Sequence, residues 1–318
     1  MIAMDKIRLG ISACLLGEPV RYDGGHKLDR FLAETLGQFV EYVPVCPEVE
    51  CGLSVPREPM RLEGDPGAPR LVTSRTKQDM TARMTQWAKR RVARLEREDL
   101  CGFIFKSNSP SSGMERVKVY SEKGGAIKSG AGIFARIFRE QFPLLPVEDE
   151  ARLHDPELRE NFIERIFTLR RWREILVRKK SRGEIVEFHS RHKLLILSHS
   201  PKHCRTMGKL IAGAKDFSLK ELYRQYQGLL MESLSLKTTP RKHANALQHT
   251  MGYFKEDLSS DEKRELLETI ERHRKGYVPL IVPVALIGHY ARTFDQPYLK
   301  HQAYLDPHPL ELLLRNHV

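Results

Sequence analysis

The sequence predicts an α/β domain with a mainly parallel sheet over residues 1–150, followed by an all-α domain over residues 151–318. Strand-like and helix-like segments alternate through the first part, which is typical of a parallel sheet with crossover helices. Beyond Pro143 the texture changes, because nearly every later segment follows the helical period. The Pro-punctuated segment 143–156 is interpreted as the connector between the two domains.

The first domain is expected to hold three strands, the first of them buried, a short fourth strand and three helices. The strands are predicted at 7–12, 39–45, 102–106 and 117–121, and the helices at 27–36, 79–97 and 130–142. The stretch 47–69 is rich in Pro and Gly and is expected to form a hairpin or an irregular loop.

The second domain is predicted to be helical at 158–182, 188–198, 219–236, 243–258, 261–275 and 279–290. It also carries most of the formal net charge of +12, because residues 1–150 hold 23 Lys+Arg and 21 Asp+Glu. A basic block of this kind is either a nucleic-acid footprint or the solvated face of a long helix.

The composition indicates the cellular compartment and the chemical state of the cysteines. We find no apolar run of about 18 residues and no signal-peptide core at the N-terminus, so a cytoplasmic protein without a membrane span is expected. In a reducing compartment the five cysteines are not expected to pair as disulfides. They are therefore buried residues, reactive thiols or metal ligands.

Three loops that follow predicted strands carry the candidate chemistry. The first contains Cys14 and leads to Arg21 and Asp23, the second begins CPEVEC, and the third reads KSNSPSSG. Loops at the carboxyl ends of parallel strands converge on one crevice. Thiolates there favour zinc, copper(I) or an iron–sulfur cluster, and the spacing alone does not choose among them.

The motifs themselves are more specific. The runs ISACLLGEPVRYDGG, VCPEV followed by GL and PREP, and KS.SPS.G resemble the thiouracil desulfidase (TudS) family over residues 7 to about 145. In the second domain, HSP at 199–201, HANALQHTMGYFK at 243–255 and the tail HPLELLLRN resemble the YbgA-type helical domain. That domain occurs alone or fused behind a TudS-like one.

The resemblance implies a [4Fe-4S] cluster held by three cysteines, whose open iron binds the sulfur of a thiocarbonyl base. Water then replaces sulfur at carbon without net redox change. The matching positions make Glu48 and Ser109 the catalytic pair, with Asp23 as a second acidic candidate. The residues expected to bind substrate, including any phosphate, are Arg21, Arg57, Lys106, Ser111 and Ser112.

One position departs from the family pattern. The third motif usually reads SPSCG, and its Cys is a cluster ligand, whereas Ser112 stands there in this chain. We predict Cys14, Cys46 and Cys51 as the ligands, with Cys51 compensating for the missing thiol. The alternatives are an oxygen ligand from Ser112, a contribution from Cys101, or loss of the cluster.

The predicted function is a [4Fe-4S]-dependent, non-redox hydrolytic desulfidase acting on a thiolated uracil, as free base, nucleotide or tRNA nucleoside. Any tRNA would bind through the basic second domain. The alternative from another class is a cluster-free scaffold or a nucleic-acid or partner-binding protein with a degenerate first domain. A structural zinc–thiolate site is the third possibility.

Overall fold

The computed structural model describes residues 6–121, 125–178 and 180–317. The chain divides into two compact units, Met1–Asp155 and Pro156–Val318. The first contains a parallel sheet with helices and the second is helical, so the predicted fold class is confirmed.

The main sheet of the first unit has four parallel strands in the order β2-β1-β5-β8. They are β1 Ile7–Ser12, β2 Val40–Val45, β5 Phe103–Phe105 and β8 Val147–Asp149. The central pair packs closely, because a Cβ on Gly10 would lie 2.2 Å from the Phe103 ring. Strand β8 was not predicted: it has three residues and lies inside the segment that was interpreted as a connector.

The helices of this unit are α1 Pro47–Glu50, α2 Thr81–Leu95 and α3 Ile133–Gln141. As the apolar pattern predicts, α2 buries Met84, Trp87 and Leu95. Helix α3 joins it through aromatic packing, with the Phe134 ring 5.5 Å from Trp87 and 5.6 Å from Phe103. This aromatic layer supports the strand ends that carry the candidate loops.

A regular helix at 27–36 is replaced by a π-helical turn at Phe31–Thr35 and a 3-10 turn at Leu36–Gln38. The reason is local. The backbone N–H groups of Lys27 and Asp29 donate to the carbonyls of Cys14 and Leu15, so this segment is tied to the loop after β1. Because these N–H groups are bonded to the loop after β1, the segment does not begin a regular helix at Lys27.

A second sheet was not expected from the sequence. It has the order β4-β3-β6-β7, formed by β3 Met60–Glu63, β4 Arg70–Thr73, β6 Val117–Tyr120 and β7 Ala126–Gly130. Strand β3 runs antiparallel to β4 and parallel to β6, and β6 runs antiparallel to β7. The β3–β4 pair lies at the end of the Pro- and Gly-rich stretch, where a hairpin was one of the two expectations.

The helices of the second unit are α4 Pro156–Val177, α5 Arg182–His199, α6 Pro201–Ala212, α7 Leu219–Ser235, α8 Pro240–Met251, α9 Ser260–Arg274, α10 Ile281–Thr293 and α11 Pro297–Lys300. Helix α6 was missed because Pro201 was interpreted as a helix breaker. Pro201 stands at the start of the helix, where its missing N–H costs nothing, and Ser200 Oγ accepts from His203 N. No helix in the described ranges is long and apolar enough to cross a membrane.

The second unit buries a charged network around Arg315. Its guanidinium donates to Glu160 Oε1 at 3.2 Å and to Glu164 Oε1 at 2.9 Å. The other oxygen of Glu164 lies 3.1 Å from His199 Nε2, and all four side chains are almost fully buried. Buried charges require such partners, because an unpaired one is costly to desolvate.

Candidate active site

The three predicted loops of the first unit line one cavity of about 380 Å³. The residues that line it are Ser12, Ala13, Cys14, Val20, Arg21, Tyr22, Lys27, Val45, Cys46, Pro47, Glu48, Arg57, Glu58, Pro59, Met60, Lys106, Ser107, Asn108, Ser109, Pro110 and Ser112. The loops after β1, β2 and β5 meet there because these strands are parallel neighbours, as expected for such a sheet.

Cys14 lies in a 3-10 turn directly after β1. The turn ends at Gly17, whose φ of +90° suits glycine, and the Cys14 carbonyl accepts from Gly17 N and Lys27 N. Burial raises the pKa of the Cys14 thiol to about 11, although the Lys106 ammonium acts in the opposite direction.

Cys46 stands immediately before α1. Its sulfur lies 3.6 Å from Glu48 Oε2 and 3.8 Å from the Val20 carbonyl oxygen. Burial raises the pKa of this thiol to about 12, and the Glu48 carboxylate adds to the effect. A thiol with such a pKa is a poor free nucleophile at neutral pH. A soft metal at the same position would bind it as the thiolate, since coordination displaces the proton.

Glu48 heads a short hydrogen-bonded chain of hydroxyl groups. Ser111 Oγ donates to Glu48 Oε1 at 2.5 Å, and Ser109 Oγ lies 3.0 Å from Ser111 Oγ. The backbone N–H of Ser112 also donates to Ser109 Oγ at 3.2 Å. The second and third loops are therefore joined by a chain along which a proton can move.

The third loop packs tightly on the start of α3. A Cβ on Gly132 would lie 2.4 Å from the Ser111 carbonyl carbon, and one on Gly113 would lie 2.7 Å from the Ser109 carbonyl oxygen. Ser111 is fully buried, and Ser112 is 3% exposed while lining the cavity. The loop therefore holds Ser112 at the lining of the cavity that Cys14 and Cys46 also line.

Cys51 does not line this cavity. It follows α1, and its thiol donates to the Glu48 carbonyl oxygen at 3.2 Å. Arg83 binds the carbonyls of Cys51 and Gly52, which fixes the backbone here. Of the three predicted ligands, Cys14 and Cys46 share the cavity, and a role for Cys51 would need its thiol to rotate away from Glu48. Cys101 is buried and likewise outside the cavity lining.

The predicted cations are held in different ways. Lys106 forms an ion pair with Glu150 and a 3.1 Å hydrogen bond to the Ser107 carbonyl. Arg57 donates to the Val20 carbonyl at 2.9 Å and lies 3.9 Å from Glu48 Oε2. Both guanidinium and ammonium are thus positioned by partners, and both line the cavity.

Arg21 lines the cavity too, but the acidic candidate Asp23 does not. Asp23 is solvent exposed, and its carboxylate accepts from Gly25 N at 3.0 Å and pairs with Arg21 at 3.5 Å. The Gly25 hydrogen bond and the Arg21 charge lower the pKa of Asp23. Its position is that of a turn-forming residue beside the site.

Several residues of the site escaped the sequence prediction, among them Lys27, Tyr22 and Glu150. Lys27 and Tyr22 line the cavity, and Glu150 anchors Lys106 and also accepts from Ser107 N at 2.7 Å. The available signal for Glu150 was a carboxylate directly after a strand, but β8 was too short to be predicted. Lys27 was assigned to a helix, and no helix forms there.

Known proteins are similar to each half of the chain. The model of the family described as 2-thiouracil desulfurase matches residues 9–150, and that of a family of unknown function, DUF1722, matches residues 193–309. Among solved structures, a [4Fe-4S]-dependent thiouracil desulfidase, TudS, is 30% identical and covers 47% of this chain and 95% of its own, with a TM-score of 0.39.

Two bacterial proteins are also similar. The uncharacterized protein YbgA of Escherichia coli is 33% identical over 153 residues, which are 48% of this chain and 90% of YbgA. The uncharacterized protein YbbK of Bacillus subtilis is 27% identical over 135 residues, which are 41% of this chain and 88% of YbbK. The chain thus consists of a 2-thiouracil desulfurase-type domain followed by a YbgA-type helical domain, and it belongs to the YbgA family.

Proposed function

We propose that this protein is a hydrolytic, non-redox desulfidase that removes sulfur from a thiolated uracil with the help of a [4Fe-4S] cluster. The observation that supports it most is the convergence of the Cys14 and Cys46 thiols and the Glu48–Ser111–Ser109 chain on one cavity. The match of residues 9–150 to the 2-thiouracil desulfurase family supports the same reaction class.

The donor set fits a cluster at two of its three expected protein ligands. Cys14 and Cys46 supply two soft sulfur donors at the lining of one cavity, and thiolate sulfur is the donor that iron–sulfur clusters select. Ser112 offers a hydroxyl oxygen at the third position, where Cys51 remains the sequence-predicted ligand. When bound, the cluster supplies an open, soft Lewis-acidic iron for the thiocarbonyl sulfur.

In this proposal Glu48 is the general base. It accepts a proton from water as the oxygen adds to the carbon that bears sulfur, and it returns a proton as sulfur departs. The balanced reaction consumes C=S and H₂O and yields C=O and H₂S, so no electron acceptor is needed. Positioned proton transfer of this kind contributes about 10²–10⁴-fold in rate.

Ser111 and Ser109 hold and relay that proton. Because Ser111 Oγ donates to Glu48 at 2.5 Å, it keeps the carboxylate turned toward Cys46, and Ser109 continues the chain. The basic side chains that line the cavity supply the contacts to the substrate. Lys27 and Arg21 line the cavity, and no described residue gives either of them a buried acidic partner, so they are the positions we assign to a phosphate or a uracil oxygen.

Anaerobic purification with iron and sulfide analysis tests the proposal. We expect broad absorption near 400 nm and sulfide release from 2-thiouracil or 4-thiouridine monophosphate. The Cys46→Ala variant should lose the iron and the activity, whereas Cys101→Ala, the matched control on a cysteine outside the cavity, should keep both. A folded wild-type protein that stays iron-free after reconstitution would favour a cluster-free binding protein instead, and stoichiometric zinc would favour a structural thiolate site.

A further inference from the structure

The helical unit has a cavity of its own, which the desulfidase proposal does not use. It encloses about 600 Å³ and is formed by α5, α6, α8, α11 and the turn after α8. Its apolar lining includes Leu194, Leu197 and Cys204, and its size is that of sites for nucleotide-sized molecules.

Cations surround this cavity. Lys193, Arg205, Arg241 and Lys242 line it, and no acidic residue does so in the part of the chain that the structure describes. Within the same part, Lys193, Arg205 and Arg241 form no ion pair, while Lys242 Nζ donates to the Lys237 carbonyl at 2.7 Å. An unneutralised cluster of this kind attracts an anion.

One face of α8 supplies hydrogen-bonding groups as well as charge. Arg241, Asn245 and His249 recur every four residues and therefore share a face, and all three line the cavity. The amide of Asn245 and the ring of His249 can each donate and accept. The site is therefore not a purely electrostatic surface.

An aromatic pair completes the cavity. The rings of Tyr253 and Tyr298 stack with centroids 4.7 Å apart and planes 14° apart, and both line the cavity. Tyr253 is 39% exposed, so it retains free ring surface, while Tyr298 is the more buried member of the pair. Stacked or exposed tyrosines beside cations are the usual platform for bases of single-stranded nucleic acids.

We propose that this cavity binds a phosphorylated nucleoside, whose base stacks on Tyr253 and whose phosphate lies among Lys193, Arg205 and Arg241. A simple anion would use the cations but would not need the tyrosines. The same chemistry is offered by a free nucleotide and by one nucleotide of a single RNA strand. The site involves no residue of the first cavity, so it stands or falls separately from the desulfidase reaction.

Equilibrium binding to the full-length protein tests the site. The probes are uridine monophosphate, a fluorescent five-nucleotide oligouridylate, inorganic phosphate and a polyglutamate peptide. We expect Tyr253→Ala and Arg241→Gln each to weaken nucleotide binding about tenfold or more. In the oligonucleotide arm, Arg241→Gln should also lower the slope of log K against log salt by about 0.7.

The matched controls are Tyr277→Ala and Lys209→Gln. Tyr277 is an exposed tyrosine after α9, and Lys209 is an exposed cation one turn beyond Arg205 on α6, and neither lines the cavity. Both controls should bind as the wild type does. All substituted side chains are at the surface, and a thermal melt of each variant checks that it folds.

Each outcome of the binding measurements either supports or overturns the nucleotide site. Saturable binding of the mononucleotide that depends on Tyr253 supports a free nucleotide, and binding of the oligonucleotide alone supports an RNA strand. Equal binding of phosphate or polyglutamate, unaffected by Tyr253→Ala, would overturn the proposal in favour of a simple anion or an acidic peptide. Absence of binding by both nucleotide probes, or equal losses in the controls, would overturn it as well.

Discussion

The two units differ in where their charged side chains lie and in how these side chains are paired. In the first, ionisable groups surround an open cavity, and Glu48 with Arg57 and Glu150 with Lys106 are paired at its wall. In the second, the charged network of Arg315 is sealed inside the core, while the cations of the 600 Å³ cavity have no acidic partners in the described ranges.

This difference separates stability from recognition. Charged pairs that are buried in a core mainly affect stability, because removing one partner leaves the other charge buried without a partner or water. Charges at a cavity wall remain available to a ligand, and paired ones are held in position for it. Substitutions in the two settings should therefore change different quantities, namely unfolding free energy in the core and turnover or binding at the cavities.

Acid should produce the largest difference between the units. Burial lowers the pKa of His189 to about 4, of His192 to about 3 and of His308 to about 4. These histidines stay neutral in the fold while the unfolded chain takes up protons below its ordinary pKa near 6.5, so stability falls as pH falls. Each contributes up to about 1.4 kcal/mol per pH unit between those limits.

Glu160 opposes this trend. Burial and the neighbouring Glu164 raise its pKa to about 8, so the fold holds that proton more tightly than the unfolded chain does between about pH 8 and 4.5. One such group offsets one histidine, and the net effect of acid on the second unit remains destabilising. The first unit holds only two histidines, His26 and His154, and both side chains are exposed.

The two tryptophans make the comparison measurable, because Trp87 lies in the first unit and Trp172 in the second. Urea unfolding of Trp87→Phe and Trp172→Phe variants, followed by fluorescence at pH 7.5, 6.5 and 5.5, reports each unit separately. The midpoint reported by Trp172 should fall with pH much more than that reported by Trp87. Parallel shifts of both midpoints would contradict the assignment.

Removing the central cation of the core network should have the next largest effect. Arg315→Met leaves Glu160 and Glu164 buried without their shared partner, which should cost about 3–5 kcal/mol of unfolding free energy. The control is Arg264→Met, which removes an exposed pair with Asp261 and should cost about 0–1 kcal/mol. Equal losses in urea unfolding would mean that the network contributes little.

At the first cavity, Glu48→Gln should leave stability and iron content unchanged but lower turnover about 10²–10⁴-fold, because the amide cannot accept the proton. Single-turnover sulfide release measures this effect. The control is Glu58→Gln, a carboxylate on the same cavity that is instead committed to Thr76 and the backbone. Comparable loss in both variants would remove Glu48 from the proton-transfer role.

Substitutions at the third ligand position should change iron retention least among these predictions. They also discriminate best between Cys51 and Ser112 as the third ligand. Ser112→Cys adds a thiol on the cavity lining, and we expect it to raise iron retention during anaerobic dialysis. Cys51→Ala should lower retention only if that thiol rotates into the cavity, and Ser112→Ala only if the hydroxyl is a ligand. Unchanged iron in both alanine variants would leave Cys14 and Cys46 as the only protein ligands among those proposed.

Much of the site could be predicted because its signals are local. Cys14, Cys46 and Lys106 each follow a short apolar strand, and parallel neighbours bring such positions together. The direction of the Cys51 thiol is a feature that the local sequence could not predict. Its spacing from Cys46 is compatible with a shared site, yet the α1 turn directs its thiol to the Glu48 carbonyl. Side-chain direction depends on that turn, and spacing does not reveal it.

The sequence by itself determined the two-unit organisation, the parallel sheet, most of the helices and the loops that carry the candidate chemistry, because apolar period and turn residues act over a few positions. The tertiary structure alone decided the second sheet, the anchoring of Lys106 by Glu150, the buried partners of Arg315, and the cavity between α5, α6 and α8. These features join residues far apart in the chain. Their free energy arises only when distant segments exclude water together.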